Sequence, residues 1–571
     1  MNPEQKLYID SNVGKKSVGQ IAAEMGLKEK EVRRYLENRP ARPAAEEASA
    51  NTIAARKKIN PLYIALLIIA IFVFYANSIG GPYLFDDKIL LENNPLIRHI
   101  SGAFKFFTTD IFCDRTTLKP VSNSYRPLQM INYAIDIRLF GDRSATFHLT
   151  AVFLHIVNAL LILLILNRLF KNRFVSFVAA MWFGINPVNT QAVSYAAGRA
   201  DLLVSSFMLI SLILYVDFVQ KKQARFVILS ALSYLAALYS KEYALLTLPL
   251  ILLVYNATFN RKDLLNLRHY ACYAAAAVFY TVTRWALFHG IAMRDLELSR
   301  LPLFARFFTS VKTLFIDIRI IFFPHDLHFG RTTAVESSVF GSPSSFMTFL
   351  GVLLLIGVIV FAYKKWEGGR RPGSGMIFFG LAWFLATMAP LLNIYPLQSF
   401  LIDSWLYLPS VGIYLIAGLG LDRLKGFAQK AGAVYGTVFY LFLTAIFLCY
   451  GLATVERNKD YRDEMRFYLS NVKWRPIVKF YNLAGGVCMQ KKDYSGAIKY
   501  FKKALEANDI YPSADVVKTY FELGRAYISV SDYTKAQKAF EKVALSNNPD
   551  DEPMRKAALA DLERIKQVSA R

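Results

Sequence analysis

Residues 156–189 read IVNALLILLILNRLFKNRFVSFVAAMWFGINPVN. One apolar run reaches Asn167, a short connection carries Arg168, Lys171 and Arg173, and a second apolar run ends at Asn186-Pro187. Neither run offers a polar face of helical period, so each reads as a helix whose solvent is lipid. The pattern recurs outward in both directions. Of 571 residues, 54% are hydrophobic, 14% aromatic and only 19% charged. The length suits three or four ordinary domains. The composition excludes a disordered chain and a single water-soluble globule. Apolar spans fall at 61–79, 146–166, 174–187, 202–219, 225–239, 243–256, 270–288, 346–363, 376–391, 409–421 and 433–453. Several are shorter than the ~20 residues an upright membrane helix needs.

The chain carries a formal charge of +24. Such an excess belongs either to a nucleic-acid footprint or to cytoplasmic loops under the positive-inside rule. Position decides. The connections 167–174, 220–225, 257–269, 364–375 and 422–432 hold 16 Lys/Arg in 50 residues. The connections 185–201, 240–242, 289–302, 324–345 and 392–408 hold five in 73: Arg199, Lys241, Arg294, Arg300 and Arg331. The first set, with Arg56-Lys57-Lys58, is expected in the cytoplasm, and nucleic acid is an unlikely partner. Residues 303–323 contain Arg306, Lys312, Asp317 and Arg319. They are expected not to cross but to lie as an interfacial or re-entrant helix, because charge is costly in a lipid-facing span. The expectation is therefore eleven spans, with the N-terminus inside and the C-terminus outside.

Two polar regions flank the spans. Residues 1–58 carry 12 Lys/Arg against 8 Asp/Glu, and the first long apolar run starts only at Leu62, so no signal peptide is expected. Within 17–36, Ile21, Ala22 and Met25 form one stripe, Gly26 a turn, and Val32, Tyr35 and Leu36 a second. This has the look of a helix–turn–helix, followed by an Ala/Glu/Pro-rich linker at 39–50. After the last span, Gly485, Ala497, Phe501 and Ala504 recur as Gly524, Ala536, Phe540 and Val543, each 39 residues on. The spacing is that of tetratricopeptide repeats, with Pro549 as a closing proline and Pro512 three residues late. A degenerate half-unit (468–476) precedes them and a polar cap (554–567) follows. Small residues let paired helices approach, and the concave face of such an array is a peptide-binding surface. The expected domains are 1–58, 59–456 and 457–571. The four cysteines, Cys113, Cys272, Cys449 and Cys488, are too scattered for a disulfide framework.

The outer loop 80–145 carries the chemistry-bearing residues. Asp86 and Asp87 are adjacent carboxylates just past a span, suited to a general base or a divalent metal, and equally to a helix cap or a solvated pair. Tyr125-Arg126-Pro127-Leu128 opens an amphipathic helix suited to the membrane surface. Other outer connections supply cations: Lys241 beside Glu242, Arg199 near Asp201, and His325, His328 and Arg331. Grouped near the carboxylates, they suit the phosphate of a lipid-phosphate substrate; singly, they suit snorkelling at helix ends. His325 and His328 lack a third ligand nearby for a metal.

The order of short motifs is specific where none alone is. It runs Phe85-Asp86-Asp87, Asn94-Pro95, Tyr125-Arg126-Pro127-Leu128, Phe147-His148-Leu149 with His155 and Asn158, then Asn186-Pro187-Val188-Asn189-Thr190-Gln191-Ala192-Val193. Gly198-Arg199-Ala200-Asp201, Ser240-Lys241-Glu242, Leu406-Tyr407-Leu408-Pro409-Ser410 and the repeats complete it. From about residue 60 onward the chain resembles the transmembrane-and-tetratricopeptide-repeat (TMTC-like) proteins, related to protein O-mannosyltransferases within the GT-C glycosyltransferases. The resemblance implies an all-α polytopic bundle and an inverting transferase that takes a sugar from a polyprenyl-phosphate donor. It implies a catalytic carboxylate in the first outer loop, Asp86 or Asp87. Donor-phosphate contacts would come from Arg126, Lys241, Arg199, His325, His328 and Arg331, with Glu242, Tyr125 and Tyr407 in support. No cofactor is required beyond the lipid-linked donor, and no dedicated metal site is expected. The chain departs from that pattern where His, His and Glu are usual, at Asn186, Asn189 and Gln191. It departs again where Glu-Arg is usual, at Asp403-Ser404. Three ionisable groups become amides and one Arg is missing, which bears on sugar or acceptor choice and on activity. The helix–turn–helix-like start lies outside the family pattern. That start and the expected lack of a signal peptide point to a bacterial inner membrane, with the repeats in the periplasm and an extracytoplasmic protein as their partner. Two alternatives compete: a non-catalytic scaffold presenting its repeats, and a membrane-anchored DNA sensor, in which Glu29, Glu31 and Glu37 dilute the cations Lys28, Lys30, Arg33 and Arg34.

Overall fold

The computed structural model describes residues 5, 9, 17–37, 59–113, 122, 124–288, 296–329, 331, 335–336, 338, 341–369, 372–397, 399–474, 476–510 and 515–569. The linker 39–50, the triplet 56–58, Arg294, the pair Arg370-Arg371 and Pro512 lie outside these residues. The chain divides into two compact units, Met1–Lys58 and Ile59–Arg571.

In the first unit, α1 (Val18–Glu24) starts from a reciprocal cap: Ser17 Oγ accepts from the Gln20 N–H, and Gln20 Oε1 accepts from the Ser17 N–H. Gly26, at φ +62°, turns the chain into α2 (Glu29–Glu37). Ile9, Ile21, Ala22 and Val32 form a small buried cluster.

The second unit is helical throughout its regular elements, and the described residues include one isolated bridge, Arg331–Leu401. It opens with α3 (Pro61–Tyr75), started by the Asn60 cap and Pro61, whose missing N–H costs nothing at that position. The first loop then leads to α4 (Pro127–Phe140). The bundle continues with α5 (Ser144–Phe170), α6 (Arg173–Ile185), α7 (Thr190–Ser194), α8 (Arg199–Lys221), α9 (Ala224–Ser240), α10 (Ala244–Phe259) and α11 (Ala271–Phe288). It is completed by α12 (Leu296–Arg300), α13 (Leu303–Phe322), α14 (Pro343–Gly369), α15 (Pro372–Met388), α16 (Ser410–Ala431) and α17 (Ala433–Asn458). All eleven apolar segments are helical. Seven helices among the described residues are long and apolar enough to cross a membrane, and α6, α9 and α10 are apolar but shorter. Small residues permit close crossing: a Cβ at Gly412 of α16 would collide with the Gly380 carbonyl of α15.

The connections gather at two ends of the bundle. At one end, Arg168 pairs with Asp217, Lys222 with Asp263, and Arg261 with Glu367. At the other, the first loop builds its own core from Leu90, Leu91, Ile97, Phe106 and Ile111 against Tyr133 of α4 and Phe147 of α5. The charged helix α13 touches the connections of this second end along its whole length. Arg306 donates to Ile394 O, Ser310 accepts from Asn393, Thr309 accepts from Glu336 N, and Ile321 O accepts from Asn186.

The repeats pair α19 (Val478–Gln490) with α20 (Tyr494–Ile510), and α21 (Val516–Ser529) with α22 (Tyr533–Ala544), before a terminal α23 (Glu552–Ser569). The recurrent residues are core. A Cβ at Gly524 would sit 2.7 Å from the Phe540 ring, so only glycine lets that ring seat. The preceding helix, α18 (Glu464–Val472), does not pack on the repeats alone. Phe467, Tyr468, Val472 and Phe480 share one buried cluster with Leu84 of the first loop and Tyr195.

Candidate functional site

The two adjacent carboxylates have different environments. Asp87 is wholly buried, and both its oxygens are engaged: Oδ2 accepts from Leu84 N–H at 3.1 Å and Oδ1 from Ala197 N–H at 2.7 Å. It closes the turn before Asp86 and ties that turn to the 195–198 connection. Burial lifts its carboxyl to about 8, against these two bonds and with the neighbouring Asp86 charge adding to the rise. Asp86 is half-buried, and its own N–H donates to Tyr195 Oη at 3.0 Å. Burial raises its carboxyl above the ordinary range, while the Tyr195 hydroxyl, Lys479 and Arg126 oppose the rise. Of the pair, Asp86 keeps a carboxylate free of backbone bonds. Among the described residues no group of three or more His, Cys, Asp or Glu side chains gathers as a metal site.

Phe85, which precedes Asp86, sits at φ +46°, a conformation disfavoured for a residue with a Cβ. It is held by rings from two elements, Phe329 at 5.8 Å and Phe480 at 6.0 Å between centroids.

The cations divide into two groups. Arg126, just before α4, donates through Nε and Nη2 to Glu242 at 3.4 and 3.3 Å. Arg284 of α11 is fully buried, lies within electrostatic reach of Glu242 and donates to Tyr280 Oη at 3.4 Å. Burial would raise the Glu242 carboxyl, but Arg126 and Arg284 outweigh it and hold it at about 2. Lys241 pairs with Asp201 at 2.6 Å in the same region. Tyr125 supports Arg126 from behind, donating to Phe107 O at 2.8 Å and packing on Tyr239, Tyr280 and Phe288. Arg126, Lys241, Glu242 and Arg284 gather at the end of the bundle that carries the first loop, and Asp86 lies within electrostatic reach of Arg126.

The second group is structural. Arg199 is fully buried, paired with Asp136 at 2.7 Å and donating to Phe147 O and Asn132. It fastens α4, α5 and α8 together, with its charge set against Asp136. Arg331 is held between Asp326 at 3.0 Å and Asp403 at 2.9 Å, and the His328 N–H donates to the same Asp403. His328 is buried with its Nδ1 on Asp326 O, whereas His325 is exposed beside Trp474. The 325–331 segment reaches the site through Phe329, not through its cations. Tyr407 is buried within the bundle, its hydroxyl against His155 Nδ1 at 2.7 Å and Asn158 Nδ2 at 3.1 Å.

The departures from the expected motif are cross-ties. Asn186 donates to Ile321 O and caps Val188 N, Asn189 donates to Phe183 O, and Gln191 Oε1 accepts from Ser404 N–H at 3.2 Å. Arg284 and Lys479 are absent from the sequence-derived candidates. An arginine inside an apolar span is a signal in its own right, since such charges face protein interiors or functional cavities. Lys479 carries no comparable local signal.

The class is thus a helical bundle with apolar spans, a half-buried carboxylate beside paired guanidinium groups at one end, and a repeat array joined to that end. Residues 478–511 and 517–550 match the tetratricopeptide repeat model. The chain is 23% identical over 521 residues to protein O-mannosyl-transferase TMTC3 of Mus musculus, covering 85% of this chain and 55% of that protein. It is 25% identical over 421 residues to protein O-mannosyl-transferase F38B6.6 of Caenorhabditis elegans, covering 72% and 58%. It is 32% identical over 155 residues to protein O-mannosyl-transferase TMTC1 of Homo sapiens, covering 26% and 17%. These proteins are homologues of the chain, which spans about half the length of those it matches over most of its own. A solved structure of ArnT from Cupriavidus metallidurans bound to undecaprenyl phosphate aligns with 85% of this chain and 81% of that one, at TM-score 0.36 and 14% identity. The apolar helices and the homologues make the chain an integral membrane protein.

Proposed function

We propose that the chain is a membrane glycosyltransferase that moves a sugar from a polyprenyl-phosphate donor to an extracytoplasmic hydroxyl, with inversion. The observation that carries the reading is the contrast at residues 86–87: Asp87 is bound to backbone, while Asp86 meets the Tyr195 hydroxyl and lies within electrostatic reach of Arg126. Asp86 accepts the proton of the attacking hydroxyl. The oxygen of that hydroxyl bonds to the anomeric carbon as the bond from that carbon to the phosphate oxygen breaks, and polyprenyl phosphate leaves with the electron pair. Arg126, Arg284 and Lys241 favour the departing phosphate as its charge develops, in a site whose buried guanidinium groups are already oriented. The homologues named as protein O-mannosyl-transferases support the reaction class. The charge pattern of the connections supports an outward-facing site and repeats, with residues 1–58 on the cytoplasmic side. The repeats fit an extracytoplasmic protein partner in their concave face.

The test uses membranes containing the full chain and a labelled polyprenyl-phosphate sugar. Asp86→Asn is expected to lower transfer by roughly 10²–10⁴-fold, the usual contribution of a positioned base, with the protein still folded. Transfer unchanged in Asp86→Asn removes the base. No transfer by the wild type from any polyprenyl-phosphate sugar favours the scaffold reading.

A further inference from the structure

The repeat array does not hang free of the proposed site. The segment around Asp86 is gripped from the repeat side on both flanks. On one flank, Leu84 lies in the buried cluster with Phe467, Tyr468 and Phe480, and the Phe480 ring meets Phe85. On the other, Lys88 pairs with Glu464 of α18 at 2.6 Å. Between these fixed points the first repeat helix, α19, places the Lys479 ammonium over the Phe85 ring, 4.7 Å from its centroid. The cation therefore stands at the residue immediately before Asp86, and it steadies a Phe85 backbone conformation that is unfavourable by itself.

We propose that Lys479, delivered by the first repeat helix, is a positioning residue for the reaction at Asp86: its charge holds the Asp86 carboxyl in the ionised, proton-accepting form. The proposal rests on the reading of Asp86 as the base. The groups facing Asp86 are Asp87 and Lys88 from its own segment, Tyr195 from the 195–198 connection, Arg126 from the start of α4, and Lys479 with Tyr468 from the repeat side. Tyr468 hydrogen-bonds Glu464 at 2.8 Å, and Lys88 is neutralised by the same Glu464. Arg126 is paired with Glu242, which Arg284 also faces, so Arg126 keeps part of its pull on Asp86. Burial disfavours an ionised Asp86, and the Tyr195 hydroxyl opposes that penalty. Lys479 is the cation near Asp86 for which the described contacts show no carboxylate partner, and it favours ionisation.

The experiment is a charge series at one position in the full-length, detergent-solubilised chain: Lys479→Arg, Lys479→Met and Lys479→Glu. The pH midpoint of Asp86 ionisation is read by carbodiimide labelling with peptide mapping, which needs no turnover, and alongside it the acid limb of the transfer rate. Removing a positive charge makes ionisation harder, so both readouts move to higher pH. The expected order of midpoints is Lys and Arg together, then Met about half a unit to one unit higher, then Glu higher again. Because Lys479 is exposed, the spread shrinks in roughly 1 M salt. A labelling midpoint unchanged in Lys479→Met and Lys479→Glu overturns the proposal. So does a shift that Lys479→Arg shares, because packing and not charge would then be the cause. If the wild type transfers no sugar while the labelling series shifts in order, the transferase reading fails and the electrostatic role of Lys479 stands.

Discussion

Asp86 and Asp87 are neighbours of one residue type with opposite duties, and the difference lies in what their oxygens meet. Asp87 accepts two backbone N–H groups, one from its own turn and one from 110 residues away. An asparagine there turns one acceptor into a donor facing a donor. Asp87→Asn is expected to destabilise the folded chain by about 1–3 kcal/mol, the cost of leaving a buried amide N–H unpaired. It should also change the response to pH. A carboxyl near 4 in the unfolded chain and about 8 in the fold stabilises most below pH 4 and loses that contribution as pH rises through 8. Detergent-solubilised wild type should therefore melt at progressively lower temperature from pH 5 to pH 9. The Asp87 share of that slope should vanish in Asp87→Asn. Equal slopes in the two proteins, measured by intrinsic fluorescence, would show that Asp87 does not titrate in this range.

Among the elements, the helices were legible because lipid-facing and buried spans are apolar on every side, and a short basic or Asn-Pro connection marks each end. The positions where the chain departs from the expected motif were legible as letters but not as a contact. Gln191 lies at the start of the bundle's second-end connections and Ser404 lies 213 residues later, yet Gln191 Oε1 accepts the Ser404 N–H. The resemblance expects a glutamate at 191 and an arginine at 404. Both positions differ from it, and Gln191 Oε1 takes the Ser404 backbone N–H, a bond made without the Ser404 side chain. Gln191→Glu alone should destabilise by about 3 kcal/mol, since it buries a charge without a partner. Adding Ser404→Arg should recover at least half of that. A double-mutant cycle on thermal or denaturant stability should give a coupling of about 1.5 kcal/mol or more. Simple additivity would mean that the two positions do not communicate. Arg284 stands out as a charge inside an apolar helix, but its neighbours Glu242 and Arg126 come from other elements, so the cluster itself is not legible from α11 alone.

At the scale of the whole molecule, the repeat pattern was legible from its 39-residue offset, because a solenoid repeats only local contacts. Its attachment was not legible, because the cluster joining Leu84 and Tyr195 to Phe467 and Phe480 pairs residues far apart in sequence and follows no period. The array therefore has two ends with different neighbours. Its outer end builds its own core around Phe540, Ala536 and Val543. Its inner end shares a core with the loop that carries Asp86. Truncating a buried phenylalanine costs about 3–5 kcal/mol wherever it sits, so the comparison that matters is where the disturbance spreads. Phe480→Ala should accelerate hydrogen exchange at residues 83–88 and lower transfer, because it removes one of the two rings that hold Phe85 at its left-handed φ. Phe540→Ala should loosen α21 to α23 while leaving exchange at 83–88 as in the wild type, since nearest-neighbour coupling in a solenoid fades over one or two units. If both variants leave 83–88 unchanged, the inner repeat merely rests against the loop. If Phe480→Ala alone releases it, the first repeat is part of the wall of the site, and any partner that distorts α19 acts directly on Asp86.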